Sequence, residues 1–247
     1  MVRIIGIVSG KGGTGKTLIA TNLSYAISNL GFKTLLIDFN FTTPHIPIIL
    51  NSKPSFTLND FLEERADFYE ILNPHLNFFF VSPSTSLQDL KNFKIENIEK
   101  LKEKLSYFDY VIIDSAPGFG REATYSFLFS DEILIIANPN LSSLFDSLKC
   151  YELAKRLDKK VLGILINRYT KDSALTIQDF KNVFEIPILG IIEESKIAKQ
   201  LDLKRKMLYD LDKNFQNQIL EVAYKICNLE IKKESFLEKI RRFFKII

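Results

Sequence analysis

The amino-acid sequence predicts an α/β fold, doubly wound, with a mostly parallel sheet covered by helices on both faces. Three observations carry this prediction. Apolar runs of strand length alternate with longer segments of helical period along most of the chain. Several runs are continuously apolar, such as Val111-Ile112-Ile113 and Ile133-Leu134-Ile135-Ile136, the pattern of strands buried on both faces. The first run passes through a glycine-rich stretch straight into a helical period, a strand–loop–helix step.

The elements follow in order. Residues 2–8 are short and apolar, but they enter the glycine-rich stretch without a small-residue cleavage site, so they are a strand and not a signal-peptide core. A helix at 16–29 and a strand at 33–38 come next. Helices are then expected near 57–64, 95–106, 120–129, 142–157, 175–184 and 211–228. The strands between them are 76–81, 109–114, 131–137, 160–166 and 187–192. Ligands of such sheets bind beyond the carboxyl ends of the strands, which points to the loops after 8, 38, 114, 137, 166 and 192. No Gly-, Pro- or Ser-rich linker divides the chain, and the composition changes only near 229–235. One domain over 1–229 and a separate C-terminal helix over 230–247 are expected.

Composition narrows the function classes. Hydrophobic residues make up 46% and charged residues 26% of the 247, a globular balance. No apolar run approaches the roughly 20 residues needed to span a bilayer, so a cytoplasmic protein is expected. Cys150 and Cys227 stand far apart with no C-x-x-C pair, which leaves zinc ribbons and metal-cluster carriers unsupported. His45 and His75 have no metal-ligand spacing. The net charge of +3 is uneven. Residues 232–247 hold six basic side chains against two acidic ones, so the preceding 231 residues sum to −1. That body charge speaks against a DNA partner.

Gly10-Lys11-Gly12-Gly13-Thr14-Gly15-Lys16-Thr17 matches G-x-x-x-x-G-K-[ST] in full. Glycines let consecutive N–H groups curl around phosphate oxygens, and the following helix aims its positive end at the same anion. In that pattern Lys16 reaches the β- and γ-phosphates and the Thr17 hydroxyl ligates Mg²⁺. With Lys11 included, Ser9–Thr17 resembles the deviant phosphate loop of the MinD/ParA ATPases, a group of P-loop NTPases. The resemblance implies ATP/ADP and Mg²⁺ as cofactors, a homodimer when ATP is bound, and a Lys11 that crosses to the partner's nucleotide. A second cation there is physically sensible, because phosphate charge must be neutralised as the bond breaks.

Asp38 and Asp114 end their strands where a magnesium ion and its waters would be held, although an aspartate after a strand is often only a helix cap. Asp114-Ser115-Ala116-Pro117-Gly118 resembles the family's second switch loop, with a backbone N–H near Gly118 sensing the γ-phosphate. The first switch reads Asp38-Phe39-Asn40-Phe41-Thr42-Thr43-Pro44 and resembles the archaeal MinD-like branch. Bacterial MinD-like proteins typically carry an aspartate where Asn40 stands. An amide holds a water but cannot accept its proton, so slow turnover without an activating protein is expected. The resemblance also makes Asn167 the reader of the adenine edge, next to Arg168. Leu18 and the backbone of Ile192-Glu193 complete the nucleotide set, although the family usually has a proline near the latter pair. Asp146 matches an aspartate near the dimer face, or is simply a solvated helix residue.

In the tail, Phe236, Leu237, Ile240, Phe243, Phe244 and Ile247 fall within an arc of about 120° at helical spacing. Glu238, Arg241, Arg242 and Lys245 lie opposite. An apolar, aromatic face with a basic back suits an anionic membrane surface, and 235–247 resembles the membrane-targeting helix of MinD. The combined expectation is an ATPase peripherally associated with the inner face of the cell membrane, positioning a cellular structure or machine. Two rivals stand beside it: a ParA-type partition ATPase that binds DNA, and an ATP-binding scaffold with very slow turnover.

Overall fold

The computed structural model describes residues 1–86, 98–198 and 206–230. Its strands are β1 (Arg3–Val8), β2 (Thr34–Phe39), β3 (Asn73–His75), β4 (Phe78–Val81), β5 (Tyr110–Ser115), β6 (Glu132–Ala137), β7 (Lys160–Tyr169) and β8 (Ile188–Glu193). Among the described residues they form one sheet in the order β3-β4-β2-β5-β1-β6-β7-β8. Every pairing is parallel except β3 with β4. β1 sits between β5 and β6, so the strand that feeds the glycine loop is central, and its residues Ile4, Ile5 and Ile7 are fully buried.

The helices are α1 (Lys16–Asn29), α2 (Ile46–Ile49), α3 (Leu58–Leu62), α4 (Ile98–Glu103), α5 (Arg121–Phe129), α6 (Leu141–Arg156), α7 (Ile177–Val183), α8 (Leu208–Leu211) and α9 (Lys213–Ile226). Alternation along β1 explains why both faces are covered. Ile5 and Ile7 pack with Leu23 and Ile27 of α1 and Ile219 and Val222 of α9. Ile4 points the other way, into a core with Leu58, Leu101 and Phe129 from α3, α4 and α5. Farther along the sheet, Ile133, Ile135 and Ile164 meet Cys150 and Ala154 of α6 and Phe180 of α7. Local chemistry sets several helix starts. Thr57 with Asp60 and Thr176 with Asp179 close capping boxes, and the Asp212 carboxylate accepts from the N–H groups of Asn214 and Phe215.

Three expectations change. The strand expected at 76–81 is β4 alone, starting at Phe78: Leu76 (φ 50°) lies in the turn that joins it to β3, an unforeseen short antiparallel edge strand before it. The strand expected to end at 166 runs on to Tyr169, with a register shift at its end and Arg168 in the left-handed region at φ 58°. α2 and α8 were not foreseen; each has four residues, too few for a period to show. The rest of the helix expected at 95–106 is α4 followed by a single 3₁₀ turn, Leu105–Tyr107, with residues 95–97 outside the described set. Nearly all of the C-terminal helix expected over 230–247, including Phe236, Leu237, Ile240, Arg241, Phe243, Phe244 and Ile247, also lies outside it. No helix among the described residues is long and apolar enough to cross a membrane.

Candidate nucleotide site

The loop between β1 and α1 is held by one buried hydroxyl. Ser9 Oγ donates to the Lys11 carbonyl at 2.7 Å and accepts from Thr14 Oγ1 and Lys16 Nζ, each at 2.9 Å. Gly15 precedes α1 at φ 93°, and no side chain caps the helix, which leaves its first N–H groups facing the loop. Lys16 is 94% buried, and burial pulls its pKa down while nearby Asp114 opposes that shift. A buried ammonium with one hydroxyl and a distant carbonyl for partners is well placed for an anion.

Asp38 and Asp114 stand directly opposite each other on β2 and β5. Burial pushes Asp114 up to about 6, against the pull of the Thr17 hydroxyl and the Lys16 charge. Burial, then the charge of Asp114, raises Asp38 well above the carboxylate range, although three backbone N–H groups work against the rise. Two adjacent buried carboxylates are costly unless a cation joins them. Asp114 Oδ1 is buried without a hydrogen-bond partner, and its carboxylate is bonded to Thr17. Those hard oxygen donors fit Mg²⁺. Asp38 is differently engaged. Its Oδ1 accepts from Asn40 N–H, and its Oδ2 accepts from His45 and Ile46 N–H, at 2.9 to 3.2 Å. Most of its acceptor capacity, about four positions, therefore fixes the first switch loop and the start of α2.

Within that loop the Asn40 side-chain oxygen accepts from Thr43 N–H and Thr43 Oγ1, so the amide braces its own turn. Gly118, at φ 80°, has its N–H on the Ser9 carbonyl at 3.3 Å. The second switch loop is thus joined directly to the phosphate loop. Lys11 reaches neither switch. Its Nζ donates to Asn140 Oδ1 at 3.4 Å and Ser142 Oγ at 3.2 Å, at the start of α6 in the same chain. Asp146 lies one turn farther along, so close to Gly10 that a Cβ there would meet its carbonyl oxygen at 2.9 Å.

A cavity of about 300 Å³ opens beside the loop and brings together Leu18, Asn167, Arg168, Ile192 and Glu193 from distant parts of the sequence. Its other walls include Asn22, Ser195, Lys206, Met207 and Phe215, none of them anticipated. They come from α1, the segment after β8 and the start of α9, which share no contiguous motif. Asn167 Nδ2 donates to the Thr14 carbonyl at 2.8 Å. That bond uses one of the amide's two N–H donors to brace the phosphate loop, and the side chain also lines the cavity. Arg168 pairs loosely with Glu194 at 3.8 Å across the cavity rim. Cys150 and Cys227 are both buried, and no group of three or more His, Cys, Asp or Glu among the described residues has the arrangement of a metal cluster.

This geometry has relatives. An uncharacterized ATP-binding protein of Methanocaldococcus jannaschii is 31% identical, covering 97% of this chain and 95% of its own length. The septum site-determining protein MinD of Buchnera aphidicola (subspecies Schizaphis graminum) is 26% identical over 97% of this chain and 99% of its own. The crystal structure of the Pyrococcus furiosus cell division ATPase MinD superposes with a TM-score of 0.87 at 27% identity, covering 93% of this chain and all of that one. MinD of Pyrococcus horikoshii, solved with Mg-ADP, shares the fold at a TM-score of 0.86 and 24% identity. A family model described as "ParA: NUBPL iron-transfer P-loop NTPase" matches residues 1–227. A central strand that runs into a glycine loop, a lysine buried beneath it and a match over nearly all the described chain lead to one conclusion: the protein belongs to the ParA family of P-loop NTPases, among whose relatives is MinD.

Proposed function

We propose that this chain is a MinD-like ATPase that binds ATP with Mg²⁺, pairs with a second copy when ATP is bound, and so associates reversibly with the inner face of the cell membrane. The observation that carries the reading is the junction of two features: the loop around Lys16, and the adjoining cavity lined by Leu18, Asn167, Arg168, Ile192 and Glu193. A phosphate chain on the first and an adenosine in the second make one continuous ligand, and Mg²⁺ when bound supplies the charge that offsets Asp114 and the phosphates. The backbone N–H groups from Gly10 to Thr17 cradle the phosphates. Lys16 holds the terminal phosphoryl oxygens, Thr17 and Asp114 present metal ligands, and Asp38 keeps the first switch loop in place. Gly118 N–H is positioned to exchange the Ser9 carbonyl for a γ-phosphate oxygen. Asn40 orients water without taking its proton, which makes hydrolysis to ADP slow until a partner protein intervenes.

Membrane association rests on residues 235–247. One such helix binds marginally, whereas two carried by a dimer gain avidity of about 10²–10⁴ if both engage. The cargo of the cycle is a cellular structure or machine whose position the dimer marks. The test is co-sedimentation of the full chain, and of a chain ending at residue 234, with anionic liposomes. Pelleting is expected only for the full chain with non-hydrolysable ATP. Background pelleting in every arm would overturn the membrane role, while calorimetry on the same material tests magnesium-dependent ATP uptake separately.

A further inference from the structure

We propose that Glu122 is a positioning residue for hydrolysis, acting through a latch to Thr42 that ties the two switch loops into one moving part. The proposal rests on the ATPase reading above. Thr42 Oγ1 donates to Glu122 Oε1 at 2.5 Å, and Thr42 N–H donates to Glu122 Oε2 at 3.4 Å. One carboxylate thus accepts from both hydrogen-bond donors of a single residue 80 positions away, the oxygen pair matching the N–H and O–H pair. Thr42 lies in the first switch loop and Glu122 in the first turn of α5, just after the second switch loop, so the contact joins two segments beside the phosphate site.

The placement gives the contact its consequence. Thr42 sits two residues after Asn40, whose amide is braced on Thr43, so the tip of the first loop is internally stiff. Its base is fixed by Asp38, which leaves the tip to follow whatever holds Thr42. Glu122 is in the first turn of α5, four residues after Gly118. Gly118 N–H is bonded to the Ser9 carbonyl, the group a γ-phosphate oxygen would displace. A shift of that N–H carries the first turn of α5, hence Glu122, hence Thr42 and the Asn40 amide. In this arrangement a phosphate sensed in the second loop sets the water-orienting group in the first. Reactive geometry is sensitive to displacements of about 1 Å, so a slack connection slows the chemistry without weakening the nucleotide's hold.

The chain contains no tryptophan. A His45→Trp background therefore carries a single tryptophan at the exposed end of the first loop, excited selectively at wavelengths beyond the absorption of the nine tyrosines. In that background, Thr42→Val, Thr42→Ser, Glu122→Ala and the Thr42→Val/Glu122→Ala double variant are compared. Three readouts are taken: magnesium-ADP affinity, the emission change on adding magnesium with non-hydrolysable ATP, and single-turnover hydrolysis. ADP affinity within about twofold of the parent is expected throughout. Thr42→Val and Glu122→Ala should lose the ATP-specific emission change and hydrolyse roughly tenfold more slowly. Thr42→Ser should behave like the parent, and the double variant no worse than either single one. Parent-like emission and turnover in Thr42→Val and Glu122→Ala, or losses that multiply in the double variant, would overturn the latch alone. A parent chain that takes up no magnesium-ATP would overturn the ATPase reading and the latch with it.

Discussion

At residue 15 two independent facts forbid a side chain. The backbone sits at φ 93°, and a Cβ would lie 2.3 Å from Asn167 Nδ2, the group that holds the Thr14 carbonyl. Gly15→Ala must therefore expel Asn167, strain the loop or both. We expect it to weaken magnesium-ATP binding by about 100-fold or more, a loss of roughly 3 kcal/mol, measured by calorimetry. Near-parental affinity would show that the loop tolerates another path. Asn40 makes a different kind of prediction, because it concerns chemistry and not shape. A carboxylate in its place keeps the bond to Thr43 and gains the ability to accept a proton. Asn40→Asp is expected to raise the single-turnover rate about tenfold with ATP affinity unchanged; an unchanged rate removes Asn40 from the mechanism. Gly10–Thr17 was legible in the sequence because the phosphate cradle is contiguous, and contiguity is what a motif records. Ser9 heads that stretch, but its role was not legible: that one hydroxyl gathers Thr14, Lys16 and the Lys11 carbonyl is set by the folded loop, not by the order of residues.

At the scale of elements, the long periodic segments were readable, whereas α2, α8 and β3, of three or four residues each, were not. α1, α5, α6 and α9 each begin and end within two residues of expectation, because their buried faces repeat over two or more turns. The β3–β4 reversal was missed because His75-Leu76-Asn77 contains neither glycine nor proline to announce a turn. The cavity wall after β8 was missed for a related reason, being built from isolated residues that only tertiary packing brings together. The start of α9 shows local chemistry with a measurable consequence. Burial pushes the Asp212 carboxyl up, but the Ser195 hydroxyl and the Phe215 and Asn214 N–H groups outweigh it, leaving its pKa below the usual value. A depressed folded-state pKa means that the stabilisation is present above the unfolded value, near 4, and is lost as pH falls through the folded one. Because the carboxylate is only half-buried, the cap, not the charge, dominates. Asp212→Ala is expected to cost about 1 kcal/mol at neutral pH. The gap between the two melting temperatures should close as pH is lowered below about 4. A gap that persists unchanged at pH 3 would mean that the cap is not acting through its ionised form.

For the whole molecule, the surface beside the phosphate loop carries exposed apolar side chains. Leu141 and Phe145 at the start of α6 are 60% and 61% exposed, and Phe119 of the second switch loop is 39% exposed. Gly10 packs against α6 at Asp146 and Phe119, so this apolar surface is continuous with the site. Lys11 rests at the same place, with its ammonium on Asn140 and Ser142 at the N-terminal end of α6. A cation gains little there, because the helix dipole presents its positive end. A triphosphate offers it far more. On the ATP-dependent pairing proposed above, nucleotide draws Lys11 off α6 and leaves the apolar pair beside it for a second copy. Phe145→Asp places a charge in that surface, two copies of it across any two-fold contact, and like charges held together there are strongly unfavourable. The variant should bind magnesium-ADP as the parent does, since Phe145 does not line the base cavity. Light scattering should show the parent doubling in mass with non-hydrolysable ATP while Phe145→Asp stays at one chain. If the variant doubles as well, the pairing surface lies elsewhere.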